Sequence, residues 1–496
     1  MQPRARPIFI GLADSDTVRR ISVRVSHRGS DPLTDEAAGQ DGSRGFSGAA
    51  LMRKRVVITG LGCVTPLGSD VQQVWDRLTE GRSGVGRLTL FDASRFPVQI
   101  AAEVKDWSIA EVGEDPSRWR HHPRQTLFAV ASGIKAVRAA GLDHTNNGHQ
   151  TSAFDPLRFG VYLGCGETYQ DWNQFAQMMA QSIDGEQFQP ERFTEQALRL
   201  WHSDQELELE LNMPAAHLAA RFNAQGPNAN CIAACASSSQ AIGEAAEMIR
   251  TGEVDIMLAG GAHSMIHPFG ISGFHRLSAL SQRNDDPAHA VRPFDRDRDG
   301  FVVGEGAAMV VLESLEHAQR RGAEIWAELT GYGSAQDAFR ITDAHPDGRG
   351  AATCMSLALK DADLRADEIS YVNAHGTGTV LNDKVETLAI KRVFGDDAYH
   401  VPISSTKSML GHFTTAGGAI ELVVSIMAIR SGVLPPTINY HTADPECDLD
   451  YVPNIARETV CRHVLSNSFG FGGQNVALVV SQFDRRRRNL VAKRAA

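Results

Sequence analysis

This sequence predicts an α/β protein whose sheets are covered on both faces, and two observations carry that prediction. Short, continuous apolar runs alternate with helical patterns from Val56 to Phe483, and continuous runs belong to strands buried on both sides. The order of runs in the second half also echoes the first, so two similar halves are expected to meet near Ser314 to Gly322.

In chain order, Val56–Gly62 reads as a strand, Gln125–Leu142 as a helix, Phe159–Leu163 as a strand and Ala215–Phe222 as a helix. Cys231–Ala234 reads as a short buried strand. Ala241, Ile242, Ala245 and Met248 then recur at helical spacing, and Val254–Gly260 returns to strand. Phe301-Val302-Val303 and Ala307–Leu312 read as strands. The second half continues with the strand Ile325–Thr330, the helix Gly350–Ala362 and the strand Ile369–Ala374. Next come the helix Lys384–Phe394, the strand Val401–Ser405 and the helix Gly417–Arg430, before the closing strands Val464–Ser468 and Val476–Phe483. Between Cys165 and Ala215 the pattern blurs into mixed Gln, Glu and aromatic residues. A partly helical excursion beside a pocket or an oligomer interface is expected there.

At 496 residues, 42% hydrophobic and 22% charged, the chain has the composition of a globular protein with a large core. A formal net charge of -10 argues against a general nucleic-acid binder. No apolar run is long enough to span a bilayer. Seven scattered cysteines, with no secretory signal, read as free thiols in a reducing, cytoplasmic setting. Residues 1–51 lack apolar periodicity, and their aspartates count against a transit peptide; a disordered extension or an early start codon is expected. The halves are placed at 52–318 and 319–483, followed by a basic tail at 484–496.

Several motifs fail. Asp295-Arg296-Asp297-Arg298-Asp299-Gly300 opens like a calcium loop, but the twelfth position is Gly306 where a bidentate Glu is needed. A turn with paired Arg and Asp is the better account. Cys231 and Cys235 have no second Cys/His pair at zinc spacing, so no metal is expected. His121-His122 reads as an exposed pair before Pro123.

Other motifs hold. Cys235 falls where a strand turns into a helix, with Ser237 to Ser239 as candidate N-terminal residues. Free backbone N–H groups and the helix dipole there favour a thiolate and a lowered pKa; the plain alternative is a buried small thiol. Asn373-Ala374-His375-Gly376-Thr377-Gly378-Thr379 puts a His at a strand's C-terminal end, where ligands bind in α/β folds. Ser404 to His412 places Lys407 and a second His, His412, on one strand-to-helix connection, with Glu421 on the next helix. Ser468 to Asn475 is a Gly-rich loop that admits close backbone approach. A thiol, two histidines, a lysine and a backbone-rich loop make a coherent site.

On those residues the chain resembles the β-ketoacyl-acyl-carrier-protein synthases, most closely the type II synthase of dissociated fatty-acid synthesis. The matching segments are Cys235 with its small neighbours, Asn373 to Thr377, Lys407 to His412 and Gly470-Phe471-Gly472-Gly473. The resemblance covers about Met52 to Phe483. It implies a thiolase fold, two similar βαβ-rich halves in five layers (αβαβα), and a homodimer. It further implies that Cys235 takes an acyl chain from acyl-carrier protein, with the N–H groups of Cys235 and Phe471 as oxyanion hole. His375 and His412, both neutral, would stabilise the enolate left when malonyl-carrier protein loses carbon dioxide. Lys407, paired with Glu421, would orient His412. Thr377 and Thr379 would hold the phosphopantetheine arm, and Phe274, Phe471, Gly472 and Gly473 would line or gate the acyl pocket. No metal or bound organic cofactor is implied.

The sequence departs from the family at Ala233, where Thr is usual, and in the longer Cys165–Ala215 segment. The run from Cys235 to Ser239 leans towards polyketide synthases, so a polyketide-type condensing enzyme is the main alternative. A thiolase would need a second reactive Cys near the C-terminal Gly loop. A non-catalytic chain-length partner usually lacks the nucleophile that Cys235 supplies.

Overall fold

The computed structural model describes residues 53–143, 154–168, 171–201 and 203–485. The extension expected at 1–51 and most of the basic tail lie outside them. Ten strands form one continuous sheet of two five-stranded halves built on one plan, each half a sheet layer of its own. The first holds β1 (Val56–Val64), β2 (Phe159–Cys165), β3 (Asn228–Asn230), β4 (Ile256–His263) and β5 (Gly306–Ser314), in the order β3-β2-β4-β5-β1. The second holds β6 (Ala327–Gln336), β7 (Tyr371–Asn373), β8 (Ile403–Ser404), β9 (His463–Gly470) and β10 (Gln474–Ser481), in the order β8-β7-β9-β10-β6. In each sheet the three far strands run parallel and the last two antiparallel. The duplication extends to irregularities: β1 slips register between Ile58 and Gly60, and β6 between Leu329 and Gly331. The sheets meet where β1 pairs with β6 through Val57↔Glu328 and Ile58↔Ala327.

Helices fill the three remaining layers. α1 (Arg124–Ala139) and α2 (Met213–Phe222) cover the outer face of the first sheet. α4 (Arg349–Ala362) and α5 (Val380–Phe394) cover that of the second. Between the sheets lie α3 (Ser237–Arg250) and α6 (Gly417–Ser431), each packed on the other and on both sheets. α6 is buried on every face from Gly417 to Ile429, as expected of a helix apolar all round at the centre of a large protein. The two helices approach closely because Gly418 has no side chain: a Cβ there would lie 1.9 Å from Ser239 Oγ. Ser238 Oγ accepts a hydrogen bond from the Ala419 N–H at 3.0 Å, and the Ser239 and Ser468 hydroxyls are 2.9 Å apart. These contacts place the start of α3, with Cys235 just before it, against elements of the second half.

Two expected strands are absent. Cys231–Ala234 is not a strand; β3 ends at Asn230, and Ile232 is 52% exposed. The reason is local: Ala234 takes a left-handed backbone, φ 46°, and the Ala233 N–H bonds to Ser237 Oγ at 2.8 Å. The chain therefore turns where a strand would run on. Phe301-Val302-Val303 makes only isolated bridges, to Leu280 and His412. The Asp295 segment is a turn, as read: Arg298 pairs with Asp444 at 2.5 Å, and the Asp295 carboxylate accepts from the His441 and Thr442 N–H groups at 2.6 Å. The blurred segment is partly helical, with helices Trp172–Gln181, Pro190–Leu200 and Ser203–Leu207 and a small hairpin. No helix among the described residues is long and apolar enough to cross a membrane.

Candidate active site

The sharp turn at Ala234 presents Cys235 at the floor of a cleft of about 300 Å³. His375 reaches the same cleft from the end of β7, and His412 from the connection after β8. His412 Nε2 lies 3.1 Å from Cys235 Sγ, and the two imidazole rings are 5.4 Å apart, edge to face. Thr414 N–H donates to His412 Nδ1 at 3.3 Å. With Nδ1 occupied as acceptor, the neutral ring carries its proton on Nε2 and donates into the cleft. Backbone N–H groups of Cys235 and Phe471 lie near enough to Sγ to favour its thiolate. The Phe471 loop can come this close because residue 470 is glycine: a Cβ there would sit 2.7 Å from Ala233 O.

Electrostatics correct one expectation. Burial pushes the Cys235 thiol up to about 11, although Lys407 and the two N–H groups pull it down. A thiol at a helix start in solvent would be acidified, but here α3 begins two residues later and Cys235 is only partly exposed within the cleft, where the charged form is disfavoured. The resting group is therefore a thiol, surrounded by donors that favour the thiolate when substrate draws it out. Burial, and then the charge of Lys407, hold His375 and His412 well below the ordinary histidine value. Both are neutral at pH 7.

Lys407 is buried behind the histidines and ion-paired with Glu421. Burial pushes Glu421 up to about 7, against the opposing pull of Lys407. Thr377 and Thr379 line the cleft with their hydroxyls 2.9 Å apart, and Phe471 lines it beside Gly470. Phe274 stands one ring back, edge-on to Phe301, which itself packs against His412. Gly472 and Gly473 do not line the cleft; their positive φ angles, 85° and 78°, shape the turn behind Phe471.

Glu386 escaped the sequence reading. Its carboxylate accepts from the His375 and Gly376 N–H groups, both at 2.8 Å, and from Asn467 Nδ2 at 3.1 Å. It clamps the His375 loop onto α5 while itself fully buried. The available signal was its spacing from Asp383, three residues earlier, which puts two acidic groups on one helix face. Spacing does not reveal that the face is buried.

Residues 53–318 match the β-ketoacyl synthase N-terminal domain, and residues 326–441 its C-terminal domain. The chain belongs to the β-ketoacyl synthase family. This synthase is 43% identical over 430 residues to 3-oxoacyl-[acyl-carrier-protein] synthase 2 of Coxiella burnetii (strain RSA 493 / Nine Mile phase I), covering 87% of this chain and 99% of that relative. Among solved structures it is similar to a β-ketoacyl synthase from Burkholderia phymatum STM815, with TM-score 0.76 and 35% identity over 87% of this chain and all of the other. It is similar also to a type II polyketide ketosynthase in complex with its acyl-carrier protein, with TM-score 0.76, 34% identity and the same coverage. The five-layer architecture is the thiolase fold of these ketosynthases.

Proposed function

We propose that this synthase elongates acyl chains by decarboxylative Claisen condensation on acyl-carrier protein, through an acyl-cysteine intermediate. The observation that carries the reading is the meeting of Cys235, His375 and His412 in one cleft, with His412 Nε2 3.1 Å from Cys235 Sγ. In the first half-reaction the Cys235 sulfur attacks the acyl thioester. A new S–C bond forms, the bond to phosphopantetheine sulfur breaks, and the proton lost by Cys235 ends on the departing thiol. The N–H groups of Cys235 and Phe471 stabilise the oxyanion, each by about 2.7–4 kcal/mol.

In the second half-reaction, malonyl-carrier protein loses carbon dioxide and its thioester oxygen gains charge. His375 and His412, as neutral donors, hydrogen-bond that oxygen. The enolate carbon attacks the acyl-cysteine carbonyl, the Cys235 sulfur leaves and takes up a proton, and a 3-ketoacyl thioester two carbons longer departs. Lys407, held by Glu421, positions His412. Thr377 and Thr379 hold the phosphopantetheine arm, while Phe471 and Phe274 bound the acyl pocket. The condensation uses no metal or bound organic cofactor. We further infer a cytoplasmic homodimer that receives both substrates from acyl-carrier protein.

The direct test is incubation with acyl- and malonyl-carrier protein over a panel of chain lengths. A 3-ketoacyl product two carbons longer than the primer is expected; no condensation across the panel would refute the proposal. The likeness to a polyketide ketosynthase supports a second reading, in which several malonyl units add in succession. Products extended more than once without reduction would favour it.

A pH dependence follows from the histidines. A histidine at its ordinary value of about 6.5 is half protonated, and no longer a neutral donor, at pH 6.5. Because His375 and His412 lie well below that value, the neutral forms persist as pH falls. The histidines themselves are therefore expected to cause no loss of malonyl decarboxylation as pH falls from 7.5 to 6.0. Glu421 and Glu386, both lifted by burial to about 7, titrate in that range; a decline centred on pH 6.5 that persists in Glu421→Gln and in Glu386→Gln would contradict this assignment.

A further inference from the structure

A second cluster, outside the candidate active site, brings together His122, Glu208 and His217. His122 lies just before α1, Glu208 follows the short helix Ser203–Leu207, and His217 is on α2. The sequence reading left His121-His122 as an exposed pair. That holds for His121, but His122 is packed against Trp119 and His217, with ring centroids 4.7 and 5.1 Å away. His217 Nε2 lies 2.9 and 3.0 Å from the two Glu208 oxygens, and His122 Nε2 lies 3.5 Å from Oε1. One donor atom from each residue falls within 4.8 Å of the others.

Two features mark the cluster as a ligand site and not simply a polar contact. Glu208 is buried, 6% exposed, and among the described residues no Lys or Arg pairs with it; only the two imidazoles face it. A buried carboxylate needs a compensating charge. His122 makes no ring hydrogen bond to any described residue, and its buried Nδ1 has no partner. A tetrahedral zinc ion with bonds of about 2.0–2.1 Å sets its donor atoms about 3.3 Å apart, close to the separations of each imidazole from Glu208. A polar cleft of about 190 Å³, lined by Arg120, His121, His122, Asp171 and Gln205, opens beside His122.

We propose that His122, Glu208 and His217 form a binding site for a divalent transition metal of the zinc class. Both imidazoles would bind as neutral ligands and the carboxylate would neutralise part of the charge. The ion would tie the divergent Cys165–Ala215 segment to α2 and to the start of α1. Leu209, next to Glu208, walls a neighbouring cavity with Trp172 and Phe269. The metal would thereby fix one wall of that cavity.

The Cys235, His375 and His412 group is the other cluster with suitable donors among the described residues, so the test uses the full chain carrying Cys235→Ala. Chelator-stripped protein is titrated with zinc against a chromophoric competitor. One equivalent is expected with Kd of about 1 µM or tighter, and its melting temperature is expected to rise with zinc. His217→Ala in the same background is expected to weaken binding by more than about 100-fold. Glu208→Gln, which keeps the shape and packing of the side chain, is expected to do likewise. Cobalt substitution is expected to give tetrahedral d–d bands without a thiolate charge-transfer band. Absence of zinc binding, or binding unchanged in the Glu208→Gln protein, would overturn the proposal.

Discussion

Cys235→Ala is expected to abolish the acyl-enzyme and to lower condensation by about 10⁴-fold or more, the scale on which removal of a covalent nucleophile acts. No other cysteine can substitute. Cys63, Cys165, Cys354, Cys447 and Cys461 are buried in the core, and Cys231, just past β3, lies outside the cleft. Intact-protein mass after incubation with acyl-carrier substrate should show one added acyl group on wild type and none on the variant. An acyl mass that persists in Cys235→Ala would place the nucleophile elsewhere. Removing one sulfur leaves the surrounding packing almost intact, so the variant is expected to unfold at nearly the wild-type temperature. Loss of activity is then a chemical loss.

His375→Ala separates the two half-reactions. Acylation uses the Cys235 sulfur and the N–H groups of Cys235 and Phe471, none of which depends on His375 as a direct hydrogen-bond partner. Decarboxylation places charge on the malonyl thioester oxygen, where a lost donor is worth about 10²–10³ in rate. The variant is therefore expected to acylate normally and to release carbon dioxide about 10²–10³-fold more slowly. Measuring acyl mass and carbon dioxide on the same preparation checks both outcomes. Slow acylation with normal carbon dioxide release would reverse the assignment. Glu386 sharpens the comparison, because it holds the backbone on both sides of the His375 Cα without entering the cleft.

Much of the fold was legible because its strands are buried on both faces and its helices are long. Val56–Val64, Arg124–Ala139, Arg349–Ala362 and Gly417–Ser431 fall within a few residues of their expected bounds. Cys231–Ala234 misled because four small or apolar residues in a row look like a strand wherever they occur. Their turn depends on Ala234 adopting a left-handed backbone beside Gly470, a partner far along the chain. His122 misled for the same reason: Trp119, Glu208 and His217 enclose it, and two of the three come from distant segments.

The sequence by itself determined the α/β class, the duplicated order of strands and the identity of the chemical groups: one thiol, a strand-end histidine, a second histidine and a lysine on a strand-to-helix connection, and a glycine loop. These are properties of residue type, periodicity and local turn chemistry, which a single chain carries openly. Only the tertiary structure decided their state. Burial keeps Cys235 a thiol at rest and both histidines neutral, and the Thr414 N–H selects the His412 tautomer. Charge and proton position depend on the dielectric and on donors supplied by segments remote in sequence, and folding sets both.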